Sequence, residues 1–302
     1  MASLRPLRIG FFGLPLGALL LARDGHSITW AALSPVEAPG RRRLMDQVPP
    51  SRLLDLLLES ASWQTQIERW LAEHPVDLIV SWFFTRRIAG NWIDCAPHGA
   101  LGVHPSLLPR HRGPDPYYAV IDAGEPVTGV TAHRLTAEYD EGDILGQKAL
   151  EVRGRNAWQL ARALDRPSLT LLREIVAQFA EGRPPRATKQ KEEQATWAPE
   201  PEGDGLRVDW SWPTVRVLNR IRALSPIPGL GLELGSKRFA VLAASPSDDC
   251  PRALLPGEAY IGHRLVLRTA DGAIAVEKAN IEQEDAGGFS VGGARLADWL
   301  RH

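Results

Sequence analysis

Short, unbroken apolar runs alternate with helix-compatible stretches through the first part of this 302-residue chain, and few folds accept that pattern. The runs are LRIGFFG, SITWAAL, VDLIVSW and GALGVH; between them lie ALLLARDG and the longer RLLDLLLESASWQTQIERWLAEH, which reads as one helical stretch. Strands that are apolar throughout belong to parallel sheets buried on both faces. Helical connections between such strands predict an α/β domain, a mostly parallel sheet with helices on both faces. In open sheets of this type the ligand crevice lies beyond the carboxyl ends of the strands.

The N-terminus fits the same scheme. Arg5 and Arg8 precede IGFFGLPLGALLL, which superficially resembles a secretory leader, yet Gly10, Gly13, Pro15 and Gly17 interrupt it and no small-x-small cleavage site follows. It is also too short to span a bilayer. The stretch is expected to form the first strand, turn and helix of a soluble domain, with no membrane partner. Its turn, GFFGLPLG, is not GxGxxG, and no GxxxxGK[ST] occurs, so neither a dinucleotide site nor a P-loop is supported.

Two further strand candidates, TGVTAHRL and LGQKALEV, precede NAWQLARALDRPSLTLLREIVAQFAEG, which has helical spacing and ends at Gly182. A charged, proline- and glycine-rich stretch then reads as a linker over residues 183–205. From residue 206 the character changes to a short amphipathic helix, WPTVRVLNRIRAL, and short strand candidates: LGLEL, KRFAVLAA, EAYIG, HRLVLRT and AIAVEKAN. These predict a small antiparallel β-barrel over 206–302, appended to an α/β domain over 1–182.

The 35 basic and 36 acidic side chains nearly cancel, so no global field recruits nucleic acid. Cys95 and Cys250 lie far apart without metal-ligand spacing, which argues against a disulfide framework and a zinc site and points to a reducing, cytoplasmic setting.

The chemistry-bearing residues concentrate in residues 99–143. His104 should stand at the carboxyl end of GALGV, its backbone held extended by Pro105. Asp140 lies in the turn signal YDEGD, and a carboxylate beside an imidazole fixes its tautomer and stabilises its protonated form. Ser106 lacks a GxSxG elbow and suits backbone hydrogen bonding. Arg112 and Gly113 either shape the loop or meet an acidic group of a ligand, a surface ion pair being the other reading. His133 faces either an acceptor site or solvent. GRRR at residues 40–43 is a local basic cluster.

HPSLLPRHRG, TGVTAH and DEGDIL together resemble the signature of the folate-dependent formyltransferases, which include methionyl-tRNA, sugar-amine and glycinamide ribonucleotide formyltransferases. The interval from His104 to Asp140 matches that family's catalytic histidine and aspartate. RVDWSWP, NRIRALSPIPG, LLPGEA and DGAIAVEKA resemble the appended barrel of its tRNA- and sugar-directed branches. The resemblance covers nearly the whole chain. It implies a Rossmann-like formyltransferase domain with an OB-like C-terminal barrel, acting in one-carbon metabolism. The implied donor is 10-formyltetrahydrofolate, with tetrahydrofolate as product and no metal. Its ring would lie between a loop carrying Trp82, Phe83, Phe84, Thr85, Arg86 and Ile88 and the turn carrying Glu138, Tyr139, Glu141, Gly142 and Asp143. The implied acceptor is an amine of a small metabolite or carrier-linked intermediate. A tRNA acceptor is disfavoured, because the insert around residues 40–43 is short where tRNA-directed relatives carry a basic loop.

One position departs from the pattern. The family carries a catalytic asparagine two residues before the histidine, and here that residue is Gly102. Removing one oxyanion donor typically costs about 2.7–4 kcal/mol, which leaves much of an enzymatic acceleration in place. Three readings stay open: formyl transfer with another donor or a water in the vacated space; divergence to hydrolysis or to transfer of a different one-carbon or acyl unit; or folate binding without turnover. Glycine required merely for its backbone conformation is the structural alternative.

Overall fold

The structure, a computed structural model, describes residues 5–58, 62–281 and 289–302. In chain order its elements are β1 (Arg8–Gly13), α1 (Pro15–Arg23), β2 (Ser27–Leu33), α2 (Arg41–Met45), β3 (Leu53–Asp55), α3 (Trp63–Glu73), β4 (Leu78–Trp82), α4 (Gly90–Ile93) and β5 (Ala100–His104). There follow α5 (Pro116–Asp122), β6 (Val127–Arg134), β7 (Ile144–Glu151), α6 (Ala157–Ala180) and α7 (Thr214–Leu224). The chain ends with β8 (Leu230–Leu234), β9 (Lys237–Pro246), β10 (Ala259–Ile261), β11 (Leu265–Arg268), β12 (Ala273–Ile281), β13 (Phe289–Gly292) and α8 (Gly293–Arg301). Two compact units form: Met1–Gly113 with Gly129–Leu150 and Leu164–Trp197, and Pro114–Thr128 with Glu151–Ala163 and Ala198–His302.

The first unit is built on a seven-stranded sheet in the order β3-β2-β1-β4-β5-β6-β7. Strands β1 to β5 pair in parallel, and β6 runs antiparallel to β5. The Rossmann-like reading of the sequence therefore holds. All five residues of β5 are buried, which is what a central strand covered on both faces demands. The long stretch read as a single helix is divided: residues 53–55 form the edge strand β3, and α3 begins only at Trp63. Leu54 and Leu56 are buried while Leu53 and Asp55 are half-buried, a strand-like period at the start of the run that the surrounding leucines conceal. Residues 59–61 of that stretch lie outside the described residues. On one side of the sheet Phe12, Trp30, Trp63, Trp70 and Trp92 make an aromatic core. Among the described residues no helix is long and apolar enough to cross a membrane.

The second unit is organised by an antiparallel sheet in the order β10-β11-β12-β9-β8, with β13 added on β12. It curls as a half-barrel around a core that includes Val217 and Ile221 of α7, Phe239, Ile274 and Leu296 of α8. The barrel strands lie close to where the sequence places them; β13 and α8 complete the unit beyond them. Helix α5 also belongs here. It starts where Asp115 accepts the Tyr118 N–H at 3.0 Å and Pro116 supplies a preset first-turn φ. At its other end Asp122 takes hydrogen bonds from Arg216 (2.5 and 2.8 Å) and Arg220 (2.6 and 3.1 Å).

Candidate active site

His104 is the last residue of β5, and only 7% of it is exposed. Its Nε2 lies 2.7 Å from the carbonyl oxygen of His111, to which it donates. Its Nδ1 faces Asp140 Oδ2 at 3.4 Å, so residues well separated in sequence meet at the strand's carboxyl end. Both ring nitrogens thus look at oxygen atoms, a pattern that both satisfy by donating only in the doubly protonated ring. Asp140 Oδ2 also accepts the Gly113 N–H at 2.9 Å. Its other oxygen, Oδ1, faces His133 Nε2 at 3.6 Å, beyond hydrogen-bond contact. One carboxylate is therefore bracketed by two imidazoles.

The backbone that presents these groups is held in unusual conformations. Asp140 (φ 58°) and His111 (φ 57°) are left-handed non-glycine residues, a state that costs on the order of 1–3 kcal/mol and persists only where the surroundings enforce it. Gly142 closes the Asp140 turn because a Cβ there would lie 1.9 Å from the Arg134 carbonyl oxygen. The loop after β5 is fixed by Thr131, whose hydroxyl accepts the Leu108 N–H at 3.0 Å and donates to the Ser106 carbonyl at 2.7 Å. Ser106 Oγ in turn donates to the Arg110 carbonyl at 2.7 Å.

The charged stretch before residue 198 supplies groups that sequence reasoning missed. Thr196 Oγ1 accepts the His111 N–H at 2.8 Å, and the Thr196 carbonyl accepts the Arg112 N–H at 2.9 Å. Gln190 Nε2 donates to the carbonyls of Asp140 (2.6 Å) and Gly142 (2.8 Å), while its Oε1 accepts from Arg112. Arg112, 5% exposed, forms a fork with Glu192 at 3.0 and 2.7 Å. Its guanidinium is thus an internal brace, neither a surface ion pair nor a free cation for a ligand. Hydrogen bonding to Glu192 raises its pKa further. The available signal was the Gln-x-Glu spacing of Gln190 and Glu192, which carries no periodicity.

The remaining candidates divide into inward and outward groups. Trp82 is buried, its indole N–H donating to Ser168 Oγ at 3.0 Å; Phe84 packs on Phe12 and Trp63 with ring centroids 5.0 and 5.9 Å away. Phe83 is left-handed (φ 54°), and its carbonyl accepts from Ser34 Oγ. Arg86 stacks over Trp63 at 5.7 Å, Ile88 packs on the aromatic core, and Thr85 is exposed. On the turn, Glu138, Tyr139 and Glu141 are exposed and Asp143 is half-buried, its carbonyl accepting the Arg134 N–H at 2.9 Å. His133 does not face solvent: it is 2% exposed, and its Nδ1–H donates to the Arg134 carbonyl at 2.8 Å. Burial pushes its imidazole down to about 4, although Asp140 acts in the opposite direction. In the basic cluster, Arg41 is paired with Asp55, while Arg42 and Arg43 are exposed.

Gly102 lies mid-strand, paired with Ser81 of β4 and His133 of β6. Its φ is outside the left-handed region, so the constraint is space and not conformation. A Cβ would lie 2.9 Å from Leu135 Cδ2, the end of a flexible side chain, and 3.7 Å from His133 Nε2.

Residues 28–164 match the formyl transferase family model and residues 204–288 match the model of the formyl transferase C-terminal domain. A methionyl-tRNA formyltransferase of Solibacter usitatus is 30% identical over 291 residues, covering 92% of this chain and 91% of its own. The chain belongs to the formyltransferase family. Members of that family are transferases, as the sequence resemblance implied. Among solved structures, HypX of Aquifex aeolicus in complex with tetrahydrofolic acid superposes with a TM-score of 0.66 at 22% identity. That match covers 97% of this chain and 47% of HypX, so this chain spans about half of HypX. An N-formyltransferase of Helicobacter canadensis, in complex with folinic acid and dTDP-3-aminofucose, has a TM-score of 0.67 at 12% identity, covering 94% of this chain and 100% of that one. At these identities the likeness is one of fold. For this formyltransferase, no cluster of three or more metal-ligating side chains occurs among the described residues.

Proposed function

We propose that this protein transfers a formyl group from 10-formyltetrahydrofolate to an amine of a small metabolite or carrier-linked intermediate, with His104 and Asp140 managing protons. The meeting of His104 and Asp140 at the end of β5, inside loops locked by Thr131, Thr196 and Gln190, carries this reading. The residues present fit a flat, polar donor. Loop and turn converge where Arg87 donates to the Ala137 carbonyl at 2.7 Å, and a Cβ at Gly90 would lie 3.5 Å from Ala137. Trp92 Nε1, in the aromatic core, is buried with no hydrogen-bond partner among the described residues, a state costing about 1–3 kcal/mol. When bound, the folate supplies the formyl carbon and a nitrogen leaving group.

The small-amine acceptor is supported by the basic cluster, since Arg41 is engaged with Asp55 and leaves only two exposed arginines there. The methionyl-tRNA formyltransferase relatives favour a second reading, in which the acceptor is a methionyl-tRNA. Incubation with 10-formyltetrahydrofolate and, separately, a nucleotide-linked amino sugar or methionyl-tRNA, following tetrahydrofolate release and product mass, decides between them. Formate released without any amine indicates a hydrolase. Thermal stabilisation by tetrahydrofolate with no turnover that depends on His104 indicates a binding protein. If release stays at the buffer level and Gly102→Asn creates it, formyl transfer by the natural protein is refuted.

A further inference from the structure

We propose that Thr196 is a positioning residue of this site, the anchor of a three-residue bridge, His111 to Gly113, that sets His104 against Asp140. The inference rests on the formyl-transfer reading. The successive N–H groups of the bridge have two destinations. His111 N–H donates to Thr196 Oγ1 at 2.8 Å, Arg112 N–H to the Thr196 carbonyl at 2.9 Å, and Gly113 N–H to Asp140 Oδ2 at 2.9 Å. The His111 carbonyl accepts from His104 Nε2 at 2.7 Å. Both members of the histidine–aspartate pair are thus tied to one short segment, and that segment is tied to Thr196. The Thr196 N–H in turn donates to the Pro109 carbonyl at 3.3 Å, so a single residue grips the loop at three points.

The bridge needs an external hold. His111 (φ 57°) and Gly113 (φ 104°) are both left-handed, a conformation that glycine takes freely and histidine keeps only where its surroundings enforce it. One peptide unit carries both contacts that matter to the ring: the amide between His111 and Arg112 accepts from His104 through its oxygen and donates to Thr196 through its nitrogen. Each bond polarises the other. The Thr196 hydroxyl holds the preceding peptide, and with it the backbone rotation at His111 that aims the carbonyl at Nε2. Because a carbonyl only accepts, Nε2 carries hydrogen as long as that contact stands. Without the hydroxyl, His111 can relax out of its left-handed state and turn the carbonyl away. His104 then keeps only Asp140, 3.4 Å from Nδ1, and the neutral ring is free to move its hydrogen to the nitrogen facing the carboxylate. Thr196 thus fixes where His104 holds its proton without touching the ring. The fork from Arg112 to Glu192 is a separate hold, which remains when Thr196 is replaced.

Two readouts test the assignment. Thr196→Val removes the acceptor at nearly constant volume, Thr196→Ser keeps it, and Thr196 is exposed, so neither change empties the core. In protein labelled with 15N-histidine, the His104 Nε2–H signal, identified by its loss in His104→Gln, should be sharp in wild type and Thr196→Ser. In Thr196→Val it should broaden by exchange with water. In the tetrahydrofolate-release assay Thr196→Val should lower kcat about tenfold with KM for the formyl donor within about threefold, and Thr196→Ser should keep both close to wild type. A merely structural role would lower the urea midpoint and leave the ring signal of the folded protein unchanged. Thr196→Ala takes the place of Thr196→Val if the latter does not fold. An unchanged Nε2–H signal in the folded variant overturns the proposal, as does wild-type kcat in that variant or a Thr196→Ser enzyme no better than it. No wild-type turnover with either acceptor overturns the formyl-transfer reading, while the ring signal still decides whether Thr196 positions His104.

Discussion

Asp122 and Asp140 are both half-buried aspartates facing nitrogen bases, and their surroundings assign them opposite work. Asp122 is closed: two arginines fork onto it at 2.5–3.1 Å, and both are also bonded to backbone carbonyls. Burial alone would raise its carboxyl, but the hydrogen bonds from Arg216 and Arg220 outweigh burial and hold it below the usual range. Arginine keeps its charge at any pH a protein meets, so this cluster has one state. Asp140 is open: one short backbone bond from Gly113, then two imidazoles at 3.4 and 3.6 Å, longer than the arginine contacts of Asp122. A carboxylate held by permanent cations stabilises, and one held by titratable rings moves protons.

The comparison is broken most directly by substituting each carboxylate. Asp140→Asn keeps the acceptor for Gly113 and tolerates the left-handed backbone, but removes the charge between the histidines. Its kcat for tetrahydrofolate release should fall about 10²–10⁴-fold, while its urea midpoint should stay close to wild type. Asp122→Ala should show the reverse pattern. The buried Arg220 guanidinium and the half-buried Arg216 lose their counter-ion, so urea unfolding should report a loss of about 3 kcal/mol, with kcat of the folded fraction near wild type. Matching losses of stability and turnover in both variants would erase the distinction.

A pH titration sharpens it. The His133 imidazole is pushed below its ordinary value in the folded protein, to about 4. Between the unfolded value near 6.5 and that folded value, the unfolded chain binds a proton that the folded chain refuses. The contribution of the neutral ring is therefore fully present above about pH 6.5 and is lost as pH falls toward 4, on the order of 3 kcal/mol across the window. Burial of His26 acts in the same direction and remains in every variant. Urea unfolding of wild type against His133→Gln at pH 7, 6, 5 and 4 isolates the His133 share: the wild-type slope should be the steeper.

What the sequence revealed of this arrangement depended on how local the signal was. His104 announced itself by a strand end followed by proline, and Asp140 by a turn motif, because each is dictated by its immediate neighbours. The parallel sheet was legible for the same reason, since each strand is apolar within its own few residues. Edge strand β3 was hidden by leucines on both faces of the run. The inward turn of Trp82 and Phe84 depended on Ser168, Phe12 and Trp63, partners remote in sequence. His133 was visible as a strand histidine, but its facing partner Asp140 and its pairing with Gly102 come from sheet register. Gln190 and Thr196 were invisible, being polar residues in a stretch without periodicity whose role is made by tertiary contact alone.

Gln190 therefore offers the smallest and most discriminating prediction about the open carboxylate. Its side chain joins two backbone carbonyls of the Asp140 turn to the Arg112 guanidinium, with no hydrogen bond to the Asp140 carboxylate or the His104 imidazole. Gln190→Ala leaves those carbonyls and part of the guanidinium without partners, a loss of about 1 kcal/mol in urea unfolding. If the turn needs external bracing to hold Asp140 in its left-handed conformation, the carboxylate drifts from both histidines and kcat falls about tenfold with little change in KM. Gln190→Glu keeps the acceptor for Arg112 but presents a carboxylate oxygen to the two carbonyls in place of the amide donor. It should therefore reproduce the kcat loss while preserving the contact to Arg112. A Gln190→Glu enzyme with unchanged kcat would mean that the turn holds its own geometry, and that Asp140 is kept open by its local sequence rather than by the bracing of residues 190–196.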